Sequence, residues 1–276
     1  EYRVITALHA SGFPVAKTYC LCEDDTIIGT AFYVMDYVAG RVLWDPSLPG
    51  MRKEQRGAYF EELNRVIAVL HCVDYAAVGL GDYGKPGNYI ERQINRWIKQ
   101  YRASETERIE AMENLIEWLP KNIPQGDETT IVHGDYRMDN VIFHPTEPRI
   151  LAVLDWELST LGHPLADFSY HCMTWRLTPG QFRGMNGIDF RSLGIPTEEE
   201  YVAAYCGRTG RDHIPNWDFY MAYNMFRLAG ILQGIMGRVK DGTAASAHAM
   251  EQGKRARPMA EAGWRQVEKI LKSATA

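Results

Sequence analysis

Two short runs hold the residue types from which phosphoryl-transfer chemistry is built. The first reads His133-Gly134-Asp135-Tyr136-Arg137-Met138-Asp139-Asn140, and the second reads Leu154-Asp155-Trp156-Glu157. Moving a phosphoryl group off a nucleotide demands little covalent chemistry from a protein. It needs a carboxylate aimed at the acceptor hydroxyl and oxygen ligands for Mg²⁺ on the phosphates. Asp135 can supply that carboxylate. The Asn140 carbonyl, five positions on, and the Asp155 carboxylate can supply the ligands. Singly, Asp, Gly and Asn are ordinary residues of tight connections. The information lies in their combination and in what flanks them.

Those flanks read as strands. Residues 129–132 lead into the first run, 141–143 leave it and 150–154 lead into the second, each stretch being mostly apolar and β-branched. Both runs are therefore expected at strand ends, with the second Asp arriving one strand after the Asn. Glu157 stands two positions past Asp155, on the same side of an extended chain, where it can add to a metal or substrate site. Asp167, in Gly162-His163-Pro164-Leu165-Ala166-Asp167, reads as a carboxylate at a helix start, favoured there by the helix dipole.

The His-Gly-Asp-Tyr-Arg-x-Asp-Asn form and the Leu-Asp-Trp-Glu strand end resemble the catalytic core of the aminoglycoside phosphotransferase family, the small-molecule branch of the protein-kinase-like fold. The resemblance extends to phosphotransferase-like domains that occur alone in bacteria or fused to acyl-CoA dehydrogenases. It also takes in Phe32-Tyr33-Val34-Met35-Asp36-Tyr37-Val38-Ala39-Gly40 and residues 224–242. It implies an α+β, protein-kinase-like fold of two lobes. Residues 1–40 would be the remnant of the small nucleotide-binding lobe and hinge, and 41–276 the large, mainly helical catalytic and substrate-binding lobe. It further implies ATP and Mg²⁺ as cofactors and a hydroxyl-bearing small molecule as acceptor.

By that resemblance Asp135 is the proton acceptor that orients the substrate hydroxyl, and Arg137 stabilises charge near the γ-phosphate. Asn140 and Asp155 hold metal, His133 supports the loop by hydrogen bonding, and Asp167 ties the following helix to the loop. Met35 would line the adenine pocket, with the backbone of Asp36, Tyr37 and Val38 against the purine edge. An edge strand and turn ending at Gly40 is equally compatible with these residues alone. Glu1 stands where a helix Glu pairs with a strand lysine that grips the phosphates. The Gly-rich loop and that lysine belong upstream, and neither is found in the chain. Because the chain opens on Glu1 rather than Met, further amino-terminal sequence and a truncated small lobe are expected.

Helices must carry the rest. Residues 52–74 place Phe60, Leu63, Val66, Ile67 and Leu70 on one stripe, with His71 at the end in a capping or core role. In the helix predicted at 89–102, Arg92, Arg96 and Lys99 share a face, either solvated or meeting a phosphate-bearing substrate. Further helices are predicted at 105–119, at 197–206 behind a Thr197 cap, at 217–240, and at 244–273, the last packing outside. Residues 178–195 read as a Gly-rich excursion. The helix at 217–240 repeats Tyr220, Tyr223, Asn224, Arg227 and Ile231 at helical spacing. By its place in the family fold this helix walls the acceptor pocket, so Tyr223, Asn224 and Arg227 are substrate-side candidates. A satisfied buried arginine is the alternative.

Composition bounds the function. The chain has 276 residues, 46% hydrophobic and 24% charged, which is ordinary for a globular protein. A net charge of −5 argues against a dedicated nucleic-acid binder, and no apolar stretch is long enough to cross a membrane. The five scattered cysteines suggest buried free thiols in a reducing, cytoplasmic setting. Nothing in the sequence bears on oligomeric state. The expected activity is ATP- and Mg²⁺-dependent phosphorylation of a small-molecule hydroxyl. Aminoglycosides are polycations, whereas the late helices carry Arg227, Arg238 and Lys240, so a neutral or anionic acceptor such as a hydroxyacyl-CoA is favoured. Two other readings remain open: a nucleotide-binding pseudokinase-like module without transfer activity, and a purely structural or interaction domain.

Overall fold

In a computed structural model, which describes residues 1–275, the periodicities above resolve into helices joined by short strand pairs. In chain order these are α1 (Tyr2–Ala10), β1 (Thr18–Cys22), β2 (Phe32–Met35), α2 (Lys53–Cys72), α3 (Tyr89–Ala103) and α4 (Glu110–Trp118). Then come β3 (Thr130–Val132), β4 (Val141–Phe143), β5 (Ile150–Val153), β6 (Thr160–Gly162) and α5 (Pro164–Cys172). The chain continues through α6 (Phe190–Leu193), α7 (Glu198–Thr209), α8 (Trp217–Lys240), α9 (Ala249–Gly253) and α10 (Ala256–Thr275). Two compact units result. The first comprises Glu1–Pro86, Thr129–Asp167 and Gly187–Ile214; the second comprises Gly87–Glu128, Phe168–Asn186 and Pro215–Ala276.

In the first unit, α2 is the central support. Its stripe of Phe60, Leu63, Val66, Ile67 and Leu70 is fully buried, and the helix packs on α7, β3 and β5. α7 begins as its sequence demands: the Thr197 hydroxyl accepts from the Glu200 N–H, and the Glu200 carboxylate accepts from the Thr197 N–H. β3 pairs antiparallel with β6, and β4 with β5. β6 is absent from the sequence reading because Thr160-Leu161-Gly162 offers one apolar side chain in three residues. β1 and β2 form a separate antiparallel pair with an irregular register between Thr18 and Cys20.

The second unit is built on α8, which packs against α3, α4, α9 and α10. Gly230, Gly234 and Gly237 line its contact with α3, and a methyl group on Gly237 would stand 3.1 Å from Ser104. Three expectations change here. The predicted terminal helix is two: Pro258 lacks an N–H and belongs in a first turn, so α10 restarts at Ala256 after α9 ends. Nor does α10 pack outside, since Ala256, Met259, Ala260 and Val267 are all buried. The helix predicted from residue 105 begins instead at Glu110, because Gln233 and Lys240 take the Ser104 and Thr106 carbonyls. The residue 178–195 excursion also holds the short α6. Of the thiols, only Cys172 and Cys206 are buried, whereas Cys20 and Cys72 are exposed.

The turn at Gly40 meets β4 through a close backbone contact. Arg41 and Phe143 exchange N–H···O=C bonds of 2.8 Å each, and a methyl on Gly40 would lie 2.4 Å from both the Phe143 carbonyl oxygen and Ile142. Gly40→Ala is expected to destabilise the fold by about 1–3 kcal/mol through overpacking. A urea-denaturation midpoint unchanged from wild type would contradict this.

Candidate active site

The first run turns sharply on leaving β3. Gly134 has φ +85°, and a methyl group there would stand 2.8 Å from the Leu158 carbonyl oxygen, so both conformation and space require glycine. The buried Asp167 carboxylate accepts from the His133 N–H at 2.7 Å and from the Gly134 N–H at 2.8 Å. The His133 ring is fixed at both nitrogens. Nε2 donates to the Leu154 carbonyl at 2.7 Å and Nδ1 accepts from the Asp135 N–H at 3.1 Å, a pattern that only the neutral ring satisfies. Trp156 closes over it edge-on, with ring centroids 4.8 Å apart.

Asp135 follows directly. Its carboxylate accepts from the Asn140 amide at 2.9 Å, and the same amide donates to the Asp135 carbonyl at 2.8 Å across a single 3₁₀ turn, Met138–Asn140. The Arg137 guanidinium lies 3.4 Å from the Asp135 carboxylate and 3.3 Å from that of Asp139. Thus Asp139, which the motif leaves without a ligand role, shares Arg137 with the candidate base. With its amide nitrogen committed to Asp135, Asn140 has its oxygen as the donor suited to a cation.

Asp155 is placed by the strand before it. The Leu154 N–H donates to the main-chain carbonyl of Asn140 at 2.8 Å, which puts the two candidate ligands on neighbouring chain segments. On the other side Trp156 is buried, and its indole N–H donates to the Val153 carbonyl at 2.9 Å. Between these fixed points Asp155 adopts φ +63° and ψ +60°, a left-handed conformation uncommon for any residue but glycine, with its carboxylate exposed. Both Asp135 and Asp155 carry their charges close enough to act on His133. Among the described residues no three His, Cys, Asp or Glu side chains gather as a metal site. Two oxygen donors fit Mg²⁺, which keeps most of its shell as water and substrate phosphate oxygens.

The remaining candidates lie on other elements. Glu1 caps α1 without a side-chain cap bond, and its carboxylate accepts from the Tyr33 hydroxyl at 3.3 Å. Met35 is half-exposed at the end of β2, Asp36 accepts from the Tyr19 hydroxyl at 2.6 Å, Tyr37 is 93% exposed and Val38 is half-buried. Glu157 is exposed, but it lies in a 3₁₀ turn, Trp156–Leu158, after the left-handed Asp155, so the extended-chain spacing expected to put it on the Asp155 side does not hold. Tyr223, Asn224 and Arg227 belong to the second unit, where all three are buried. There the Asn224 amide donates to the Ser169 hydroxyl at 2.7 Å, and the Arg227 guanidinium lies over the rings of Tyr170 and Trp97 at 5.0 and 5.8 Å. A group the motif could not reveal is His71, whose Nε2 stands 3.2 Å from Asp167. No local signal marks it, since the two are 96 positions apart.

Burial pushes the His133 pKa below its ordinary 6.5, although the charge of Asp167 opposes the shift. Asp167 is held below the ordinary carboxylate value: burial alone would raise it, but the hydrogen bonds from the His71 ring and the His133 amide outweigh burial. For His133 the folded pKa lies under the unfolded one, so the unfolded chain takes up the proton first. Its contribution to stability is complete above about pH 6.5 and is lost as pH falls toward the folded value. The urea midpoint should therefore fall between about pH 7 and pH 5, with a shallower slope in His133→Gln. Equal slopes in variant and wild type would rule out His133 as a source.

The phosphotransferase enzyme family model matches residues 1–223. A solved structure from Ralstonia eutropha JMP134, provisionally named an aminoglycoside phosphotransferase, is 64% identical, with a TM-score of 0.94 over 97% of this chain and 82% of its own. The aminoglycoside phosphotransferase APH(4)-Ia, solved in a ternary complex with AMP-PNP and hygromycin B, shares the fold at 14% identity, with a TM-score of 0.59 over 96% of this chain and 82% of its own. Mouse acyl-CoA dehydrogenase family member 10 is 50% identical over 96% of this chain, and human member 11 is 41% identical over 95%. The chain spans only 25% and 34% of those two proteins. The fold is thus the α+β kinase-like one, and the chain belongs to the phosphotransferase enzyme family.

Proposed function

We propose that the chain transfers the γ-phosphoryl group of ATP to a hydroxyl of a small molecule. The observation that carries this reading is the Asp135 carboxylate, held at 2.9 Å by the Asn140 amide beside Arg137, on a loop whose amides are gripped by Asp167. The acceptor oxygen bonds to the γ-phosphorus as the bond to the β-phosphate oxygen breaks, ADP leaves, and the hydroxyl proton passes to Asp135. Because the transition state is loose, orientation of the acceptor contributes more than the basicity of Asp135. Arg137 offsets charge on the transferring group. Asn140 and Asp155 would hold Mg²⁺, which neutralises charge on the phosphates when bound. Met35 and the backbone of Asp36, Tyr37 and Val38 form the adenine side in this reading, with Glu1 on the phosphate side.

For the acceptor, a neutral or anionic compound such as a hydroxyacyl-CoA is favoured over an aminoglycoside. Support comes from the sequence of the late helices, which carry Arg227, Arg238 and Lys240 rather than the carboxylates a polyamine requires. Glu157, two residues past Asp155, is the acceptor-side candidate of the first unit. The intact pairing of Asp135 with Asn140 and Arg137 favours a catalyst over a nucleotide-binding module, which needs no base.

The test incubates the protein with ATP, Mg²⁺ and a panel of hydroxyacyl-CoAs and aminoglycosides, with phosphorylated product read by mass spectrometry. Asp135→Asn should lower turnover by about 10²–10⁴-fold. Product formed at the wild-type rate in that variant would displace Asp135 as the base. ATP-dependent thermal stabilisation without any product would favour the binding module.

A further inference from the structure

We propose that His71, with Tyr205 behind it, is a positioning residue for the loop that carries Asp135, acting through the Asp167 carboxylate. The contact stands on geometry; only the consequence for turnover rests on the phosphotransfer reading above. His71 lies in the last turn of α2, almost wholly buried, with Nε2 3.2 Å from Asp167 and Nδ1 2.7 Å from the Tyr205 hydroxyl of α7. An ionised carboxylate has no proton to give, so Nε2 donates. Nδ1, on the other side of the ring, shares its hydrogen bond with the Tyr205 hydroxyl. A continuous line of hydrogen bonds therefore runs from Tyr205 through His71 to Asp167, and from there to the His133 and Gly134 amides.

The same helix reaches the loop a second time. The buried Tyr136 hydroxyl donates to the Leu63 carbonyl at 3.0 Å. Leu63 and His71 are eight positions apart on α2, about two turns, and so on one face. Asp135 is consequently flanked by Gly134 and Tyr136, each tied to α2, the first through Asp167 and His71 and the second directly. Polar chains of this kind cost more to bury than an apolar core of equal volume. What this one yields is a fixed direction for the backbone on both sides of Asp135, which packing alone would leave less determined.

Hydrogen exchange at the His133 and Gly134 amides, measured on the full chain in His71→Ala, His71→Gln and Tyr205→Phe, tests this. Exchange there should quicken by about tenfold or more in His71→Ala, as for loss of one bond to a charged group, and less in Tyr205→Phe. Amides of α8 should not change. His71→Gln, which retains a donor, should restore the wild-type rate. Where an acceptor gives turnover, kcat per folded molecule should fall in parallel while KM for ATP holds. Wild-type exchange at both amides in His71→Ala and Tyr205→Phe would overturn the proposal, as would a uniform rise across the first unit, the mark of mere packing. Should His71→Ala fail to fold, Tyr205→Phe decides. Absence of turnover with every acceptor would count against the phosphotransfer reading, while the exchange rates still judge His71.

Discussion

Asp167 is 3% exposed yet holds its negative charge, because its oxygens are met by the His133 and Gly134 amides and by the His71 imidazole. A carboxylate buried at this depth without such donors would be neutralised or would unfold its surroundings. The requirement runs both ways. The two amides lie in a turn that strand pairing cannot satisfy, so the carboxylate and the turn each supply what the other lacks. Once the turn is fixed, His133 can reach the Leu154 carbonyl, and that bond ties the first run to the strand leading into the second.

From there the placement of Asp155 follows. Its left-handed backbone costs about 1–3 kcal/mol in an unsupported chain. The flanking Leu154 bond to Asn140 and the buried Trp156 hold it there. Strain of this kind gathers where a side chain must point against its strand's alternation. Here it delivers an exposed carboxylate beside the segment that carries Asn140, the arrangement an oxygen-bound cation requires.

The second unit shows a different economy. α8 is buried along most of its length, and its glycines let α3 approach closely, so its polar residues lie inside the fold rather than on a solvated stripe. Asn224 is occupied with Ser169, and Arg227 rests between aromatic rings that compensate part of its lost hydration. Spacing along the helix identified these residues as unusual but could not say which partners would satisfy them.

Local patterns in the sequence determined much of this protein. The apolar stripe of α2, the Thr197 cap and the full span of α8 follow from periodicity and capping chemistry that neighbouring residues decide among themselves. The motif likewise named Asp135 and Asn140, which one strand-end loop keeps five positions apart, and Asp155 at the end of the next strand. Tertiary structure decided what depends on distant partners. β6 exists only because β3 offers it an edge. The 105–109 segment stays out of α4 because α8 side chains donate to the Thr106 carbonyl and hydroxyl. Exposure of Cys20 and Cys72, and the meeting of His71 with Asp167 across 96 positions, carry no local signature at all. A hydrogen bond or a buried surface is a property of two segments, and the spacing of residues within one cannot specify the other.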